Sequence, residues 1–161
     1  MPRRIDTAIE IAASPQRVWD VLGDLARYPE WNHFLLRVEG RLVVGAQIRF
    51  RFELPRGVRM NALATVLKVE PSRELRWAGR FLWPWLFRAE HYFVIERIAT
   101  ERVRFRHGEI FSGLLLPLAW LVLRGQGPPV YEQMNADLRE RCEMTTWDAT
   151  RKANVTRCRV P

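Results

Sequence analysis

A chain of 161 residues suits one domain and is long enough to bury about two-thirds of its unfolded surface in a core. Hydrophobic residues make up 48% of it, which excludes a disordered chain, and the longest apolar run, about ten residues, is about half of what a membrane-spanning helix needs. The formal charge of +8 comes almost wholly from arginine, with Lys68 and Lys152 the only lysines, and it raises the question of a nucleic-acid partner.

The arginines are scattered, and many alternate with apolar residues, as in Arg49-Phe50-Arg51-Phe52 and Arg102-Val103-Arg104-Phe105-Arg106. Such alternation puts them on the solvated outer face of a sheet, so no nucleic acid is expected; an anionic ligand or a membrane is the alternative. The start of the chain lacks the basic, apolar and small-residue succession of a signal peptide, and a cytoplasmic protein is expected. Cys142 and Cys158 belong to no C-x-x-C or His/Cys cluster, so neither a metal nor a disulfide is indicated. No Gly-rich phosphate loop or dinucleotide fingerprint occurs, and no cofactor is expected.

Arg4 to Ala12 alternates Ile5, Thr7, Ile9 and Ile11 against Asp6, Ala8 and Glu10, the pattern of a half-buried strand. Ser14-Pro15 is a strong helix start, followed by Val18, Val21, Leu22 and Leu25 on one face. Tyr28-Pro29-Glu30-Trp31-Asn32 reads as a turn or a single helical turn, because Pro29 discourages helix at Tyr28. Short strands follow at about Phe34 to Glu39, Ala46 to Glu53, Arg59 to Glu70, Glu74 to Ala78, Phe87 to Arg97 and Arg102 to Phe111. Their short Gly- and Pro-bearing connections favour consecutive hairpins.

The apolar run Leu114 to Leu123 comes next, with core packing its favoured role. A break is expected at Gly125 to Pro129. A helix then resumes, with Val130, Met134, Leu138 and Cys142 on its buried side. Trp147 to Pro161 is polar and basic without periodicity and is expected to be poorly ordered, leaving a domain over residues 1–145 and a tail over 146–161. These elements predict an α+β domain in which a curved, seven-stranded antiparallel sheet wraps round a long C-terminal helix, a helix-grip arrangement.

The opening Ile9-Glu10-Ile11-Ala12-Ala13-Ser14-Pro15-Gln16-Arg17-Val18-Trp19-Asp20-Val21-Leu22, followed by Tyr28-Pro29-Glu30-Trp31-Asn32, resembles that of the START-like, or SRPBCC, superfamily. Leu75-Arg76-Trp77, Glu90-His91-Tyr92-Phe93, Arg106 to Gly113 and Glu132 to Leu138 are similar to one bacterial branch of its polyketide cyclase/dehydrase-like members. The resemblance covers roughly Arg4 to Thr145 and implies the helix-grip fold. For function it implies a range, since members run from passive lipid binders to enzymes.

Strand alternation assigns the inner face without the family. Val103, Phe105, His107, Glu109 and Phe111 point inward on one strand, and Phe87, Ala89, His91 and Phe93 on its neighbour. Phe50, Phe52, Leu75 and Trp77 face the same way. His91, His107 and Glu109 are thus polar groups among aromatics, and burial requires that they be paired. Three readings are open: a pair that satisfies itself, recognition of a ligand's polar end, or acid–base transfer.

Trp31 and Phe34 are candidates for a cavity mouth, and Trp120 and Met134 for the helical wall. The favoured function is binding of a small hydrophobic molecule between sheet and helix, lined by these aromatics and oriented by His91, His107 and Glu109. A cyclase/dehydratase-type enzyme using the same cluster is one alternative. Contact with a membrane or partner through Phe81 to Leu86, whose aromatics either cap a cavity or lie exposed, is the other.

Overall fold

The computed structural model describes residues 1–54, 57–80 and 85–157, with positions 54, 58, 80, 122, 123, 126 and 145–157 described as backbone alone. Strand β1 (Arg3–Ile11) leads into helix α1 (Pro15–Gly23) and a 3₁₀ helix (Leu25–Glu30). Strands β2 (Leu35–Glu39), β3 (Gln47–Leu54), β4 (Val58–Glu70), β5 (Glu74–Arg80), β6 (Arg88–Ala99) and β7 (Arg102–Ser112) follow, and helix α2 (Leu116–Arg157) ends the fold. The seven strands form one antiparallel sheet in the order β1-β7-β6-β5-β4-β3-β2. Six of them are a meander of hairpins. β1 closes against β7, so α1 and the 3₁₀ helix carry the chain from one edge of the sheet to the other. Register shifts at Leu35/Arg37, Val66/Lys68 and Arg97/Ala99 interrupt the ladders, and such bulges bend a sheet.

The caps follow the local chemistry. The Ser14 hydroxyl accepts from the Arg17 amide at 3.2 Å, with Pro15 in the first turn, where its missing N–H has no intrahelical partner to lose. Val18, Val21 and Leu22 then turn inward. Asn32 accepts from the amides of Phe34 and Leu35, both at 2.9 Å, and so turns the chain into β2. The larger core cluster lies in the concave face, where Ile11, Val18, Leu22, Ile48, Val66, Leu75, Phe93, Val103 and Phe105 meet Met134, Leu138 and Cys142 of α2. Burial pushes the free Cys142 thiol up to about 12.

The expected break at Gly125 to Pro129 does not occur. α2 runs through it with Pro128 and Pro129 inside. Gly127 has no Cβ for the ring of Pro128 to strike, and a Cβ there would overlap Ile5 Cδ1, so the same residue lets the helix lie close on β1. Tertiary contact overrides the local signal. The expected core role of Leu114 to Leu123 also needs correction: Leu116 is buried, whereas Leu114, Leu118 and Leu121 are exposed. The backbone of the expected tail continues α2 to Arg157, and Cys158 lies outside the described residues. Of the segment Phe81 to Leu86, residues 81–84 lie outside them as well.

On the convex face several arginines are paired with carboxylates. Arg106 bridges Asp6 and Glu96 at 3.2 and 3.3 Å, and Arg76 reaches Glu74 and Glu90. Tyr92 is buried there, although its strand position points outward, because the guanidinium groups of Arg4 and Arg76 cover its ring at 5.0 and 5.4 Å. Its hydroxyl donates to Asp6 at 2.6 Å. The ring has room only because residue 108 is glycine; a Cβ there would overlap the Ile5 carbonyl oxygen and the Tyr92 hydroxyl. Gly108→Ala is therefore expected to destabilise the fold by about 2 kcal/mol or more, read as a lowered midpoint in urea unfolding. An unchanged midpoint would contradict this packing.

Candidate functional site

β1, β6 and β7 bring polar side chains together because their inward positions coincide across the ladders. His91 stands opposite Glu109, Phe93 opposite His107, and Thr7 opposite His107. The imidazoles meet Nε2 to Nε2 at 2.6 Å. His107 Nδ1 lies 2.8 Å from Asn135 Oδ1 on α2, and Asn135 Nδ2 donates to the Thr7 hydroxyl at 2.9 Å. That hydroxyl donates in turn to the backbone carbonyl of His107 at 2.8 Å.

This chain of contacts fixes the protons. A carbonyl oxygen only accepts, so Thr7 gives its hydrogen there and must accept from the Asn135 amide. Asn135 Oδ1 is then turned to His107 Nδ1, which must carry a hydrogen. Burial, together with the neighbouring His91, holds His107 well below the usual histidine range, so it is neutral and its Nε2 is bare. His91 accordingly donates from Nε2.

The other end of His91 faces Glu109, with Nδ1 and Oε1 3.7 Å apart. The second Glu109 oxygen accepts from the Tyr131 hydroxyl, and burial and the adjacent carboxylate hold that phenol well above its usual value, so it stays a donor. His107 is sealed, while the side chains of His91 and Glu109 keep 16% and 17% of their exposure. The accessible end of the chain is thus the end that no hydrogen bond closes. Trp77 stacks on His91 at 5.5 Å and 17°, Phe93 on His107 at 4.7 Å and 26°, and Tyr131 meets His107 edge-on at 4.9 Å.

The sequence candidates do not form one ring. Trp77, His91, Phe93, His107 and Glu109 are together. Phe50, Phe105 and Met134 are packed in the core beside them, and Phe52 lies on its margin. Phe111 and Trp120 belong to a second cluster with Ile5, Leu116 and Tyr131. Trp31 packs on Tyr28 at 4.8 Å, and Phe34 is half-buried at the start of β2. Thr7, Tyr131 and Asn135 were absent from the candidates. Thr7 has a legible signal, a hydroxyl between Ile5 and Ile9 on the inward face; Tyr131 and Asn135 are i, i+4 on α2.

Two surface concavities lie elsewhere, one of about 250 Å³ over Tyr92 and one of about 480 Å³ between α1, the 3₁₀ helix and α2. Neither is lined by the histidine pair. Among the described residues, no three His, Cys, Asp or Glu side chains are arranged to hold a metal ion.

A family model described as polyketide cyclase / dehydrase and lipid transport matches residues 2–143. The chain belongs to that family. No curated protein matches it. Among solved structures it is similar to the Zhui aromatase/cyclase of Streptomyces sp. R1128, at 15% identity and a TM-score of 0.74, over 89% of this chain and 94% of that one. A START superfamily protein of Mycobacterium smegmatis matches at 16% identity and a TM-score of 0.72, over 88% and 98%. Norcoclaurine synthase of Thalictrum flavum matches at 12% identity and a TM-score of 0.67, over 91% and 97%. At these identities the likeness is one of fold, and it agrees with the helix-grip architecture read above.

A second histidine ties the strand layer to α2. His33 Nδ1 lies 2.8 Å from Asp137 Oδ2, and Gln133 holds the other oxygen at 2.9 Å. Hydrogen bonding to Asp137 and its charge raise His33 above 6.5. Its contribution to stability is therefore full below pH 6.5 and is lost as pH rises through the raised value. His107 acts in the opposite sense: below 6.5 the unfolded chain takes up a proton that the buried ring refuses, so stability falls with pH. Melting curves of His33→Ala against the parent should differ most below pH 6.5 and converge in alkali; a constant difference would contradict the ion pair.

The proton assignment has its own test. Nitrogen-15 histidine spectra should show His107 protonated at Nδ1 and His91 at Nε2, with His107 neutral through the mildly acidic range. Asn135→Leu should release the His107 tautomer. Finding His107 protonated at Nε2 in the parent would overturn the assignment.

Proposed function

We propose that the chain binds a small, largely hydrophobic molecule between the sheet and α2, with an oxygen-bearing end at His91 Nδ1 and Glu109 Oε1. The observation that carries this reading is the 3.7 Å gap between those atoms, at the one partly open point of a chain otherwise closed by hydrogen bonds. That gap is too long for a hydrogen bond, and an oxygen about 2.8 Å from each atom would accept from one and donate to the other. Trp77 and Tyr131 supply apolar surface beside it. The family's description, which spans cyclase/dehydrase activity and lipid transport, supports a ligand of this class. Phe93, Phe105 and His107, being fully buried, serve as the wall behind the contact residues.

The imidazole facing a carboxylate, both partly exposed, favours a second reading, a cyclase/dehydratase-type enzyme. Glu109 or His91 would take a proton from a bound carbonyl compound and return it elsewhere, with Asn135 and His107 holding the imidazole in place.

Native mass spectrometry of protein purified from its own host is expected to show a co-purifying hydrophobic molecule. Glu109→Gln should weaken its binding about tenfold if recognition is the whole role, and should cut turnover by about 10²–10⁴ with binding retained if the pair is catalytic. A protein that carries nothing and leaves hydrophobic probes such as anilinonaphthalene sulfonate unbound would end both readings.

A further inference from the structure

Apolar side chains collect on the outside of the molecule where α2 begins. Leu114, Leu118 and Leu121 are 71%, 70% and 62% exposed, and Leu118 and Leu121 lie three apart on one face of the helix. Trp85, 63% exposed, is fastened to them through the main chain. The Leu114 amide donates to the Trp85 carbonyl at 3.0 Å, and the Leu115 amide to that of Leu86 at 3.0 Å. Gly113, with a φ of +118°, allows this approach, since a Cβ there would meet the Leu86 carbonyl oxygen at 2.5 Å. The patch therefore has a fixed base and is not a set of loose side chains. Scattered exposed leucines need no explanation, but a contiguous group of this kind does.

Charge identifies what covers it. From Gly79 to Ala89 and from Ile110 to Tyr131 the sequence has no aspartate or glutamate, while Arg80, Arg88 and Arg124 fall within those stretches. Arg3, from the neighbouring edge strand, lies over the Trp120 ring at 5.6 Å. Arg88 is paired with Glu90 at 2.9 Å, but leucine and tryptophan beside Arg3 and Arg124 make the composition of a surface that rests in the headgroup region of a negatively charged bilayer. A face that meets a second copy of the same chain gains nothing from carrying net positive charge, because the two copies would repel.

We propose that Trp85 and the exposed leucines at the start of α2 dock the protein on anionic lipid bilayers. The apolar side chains enter the interface, and Arg3 and Arg124 reach lipid phosphates with their stems along the apolar surface. This contact stands without the ligand reading, since the patch is separate from His91 and Glu109.

The test is sedimentation of the full chain with vesicles of phosphatidylcholine alone, or mixed with phosphatidylglycerol. Binding is expected to the mixed vesicles, to weaken as salt rises, and to fall about tenfold or more in Leu118→Glu/Leu121→Glu. Those positions are exposed, and an unchanged melting curve would show the variant folded. Trp85→Ser and Arg124→Glu, each expected to weaken binding several-fold, keep the test sharp if it is not. No binding to mixed vesicles at low salt would overturn the proposal, as would binding that these variants leave unchanged. So would a dimer in analytical ultracentrifugation that Leu118→Glu/Leu121→Glu dissociates, since a second copy would then cover the patch.

Discussion

Burial without water governs this structure. Thr7, Asn135, His107, His91, Glu109 and Tyr131 are polar groups set in an aromatic interior, and each must find its partner among the others. That requirement joins three strands to α2 more specifically than apolar contact does. A one-residue slip of β7 against β6 would send His107 and Glu109 to the outer face and leave His91 and Asn135 unpaired. The same requirement gives the site its polarity. The end anchored on a backbone carbonyl has no freedom, while at the partly exposed His91–Glu109 end 3.7 Å separates Nδ1 from Oε1.

The fold itself was plain in the primary structure. Alternation in Arg102 to Phe111 put His107 and Glu109 on the inward side, and the hairpin connections gave the strand order from β2 to β7. The misreading of Gly125 to Pro129 followed from trusting a local rule where a tertiary one prevailed. Two prolines argue for a break, but Gly127 against Ile5 shows that this stretch is shaped by what it rests on. The leucines before it were assigned to the core on hydrophobicity alone. Such a run has no periodic signal to say which side faces water.

The site was half legible for a related reason. Histidine and glutamate announce themselves on an apolar strand, whereas Asn135 and Tyr131 sit on a helix where polar neighbours are common. What marks them out is partnership across about 28 and 22 residues of chain, which is a property of the fold. Thr7 could have been found, since a hydroxyl between two isoleucines on an inward face raises the same question as a histidine does. The convex face went as the alternation implied, with one refinement: Tyr92 is held beneath arginines that are themselves neutralised by Asp6, Glu74 and Glu90.

The adjacent prolines in α2 have an effect beyond their tolerance. Neither has an N–H to offer, so the carbonyls of Arg124 and Gly125 receive no bond from the next turn, and the ladder of the helix is interrupted although its path is not. The turns on either side of the prolines are thereby joined by two fewer main-chain hydrogen bonds than a helix without them would have. Sideways ties to β7 flank the gap instead, the Tyr131 hydroxyl on the Glu109 carboxylate downstream and Trp120 edge-on against Phe111 upstream, so the sheet holds both halves of the rod in line.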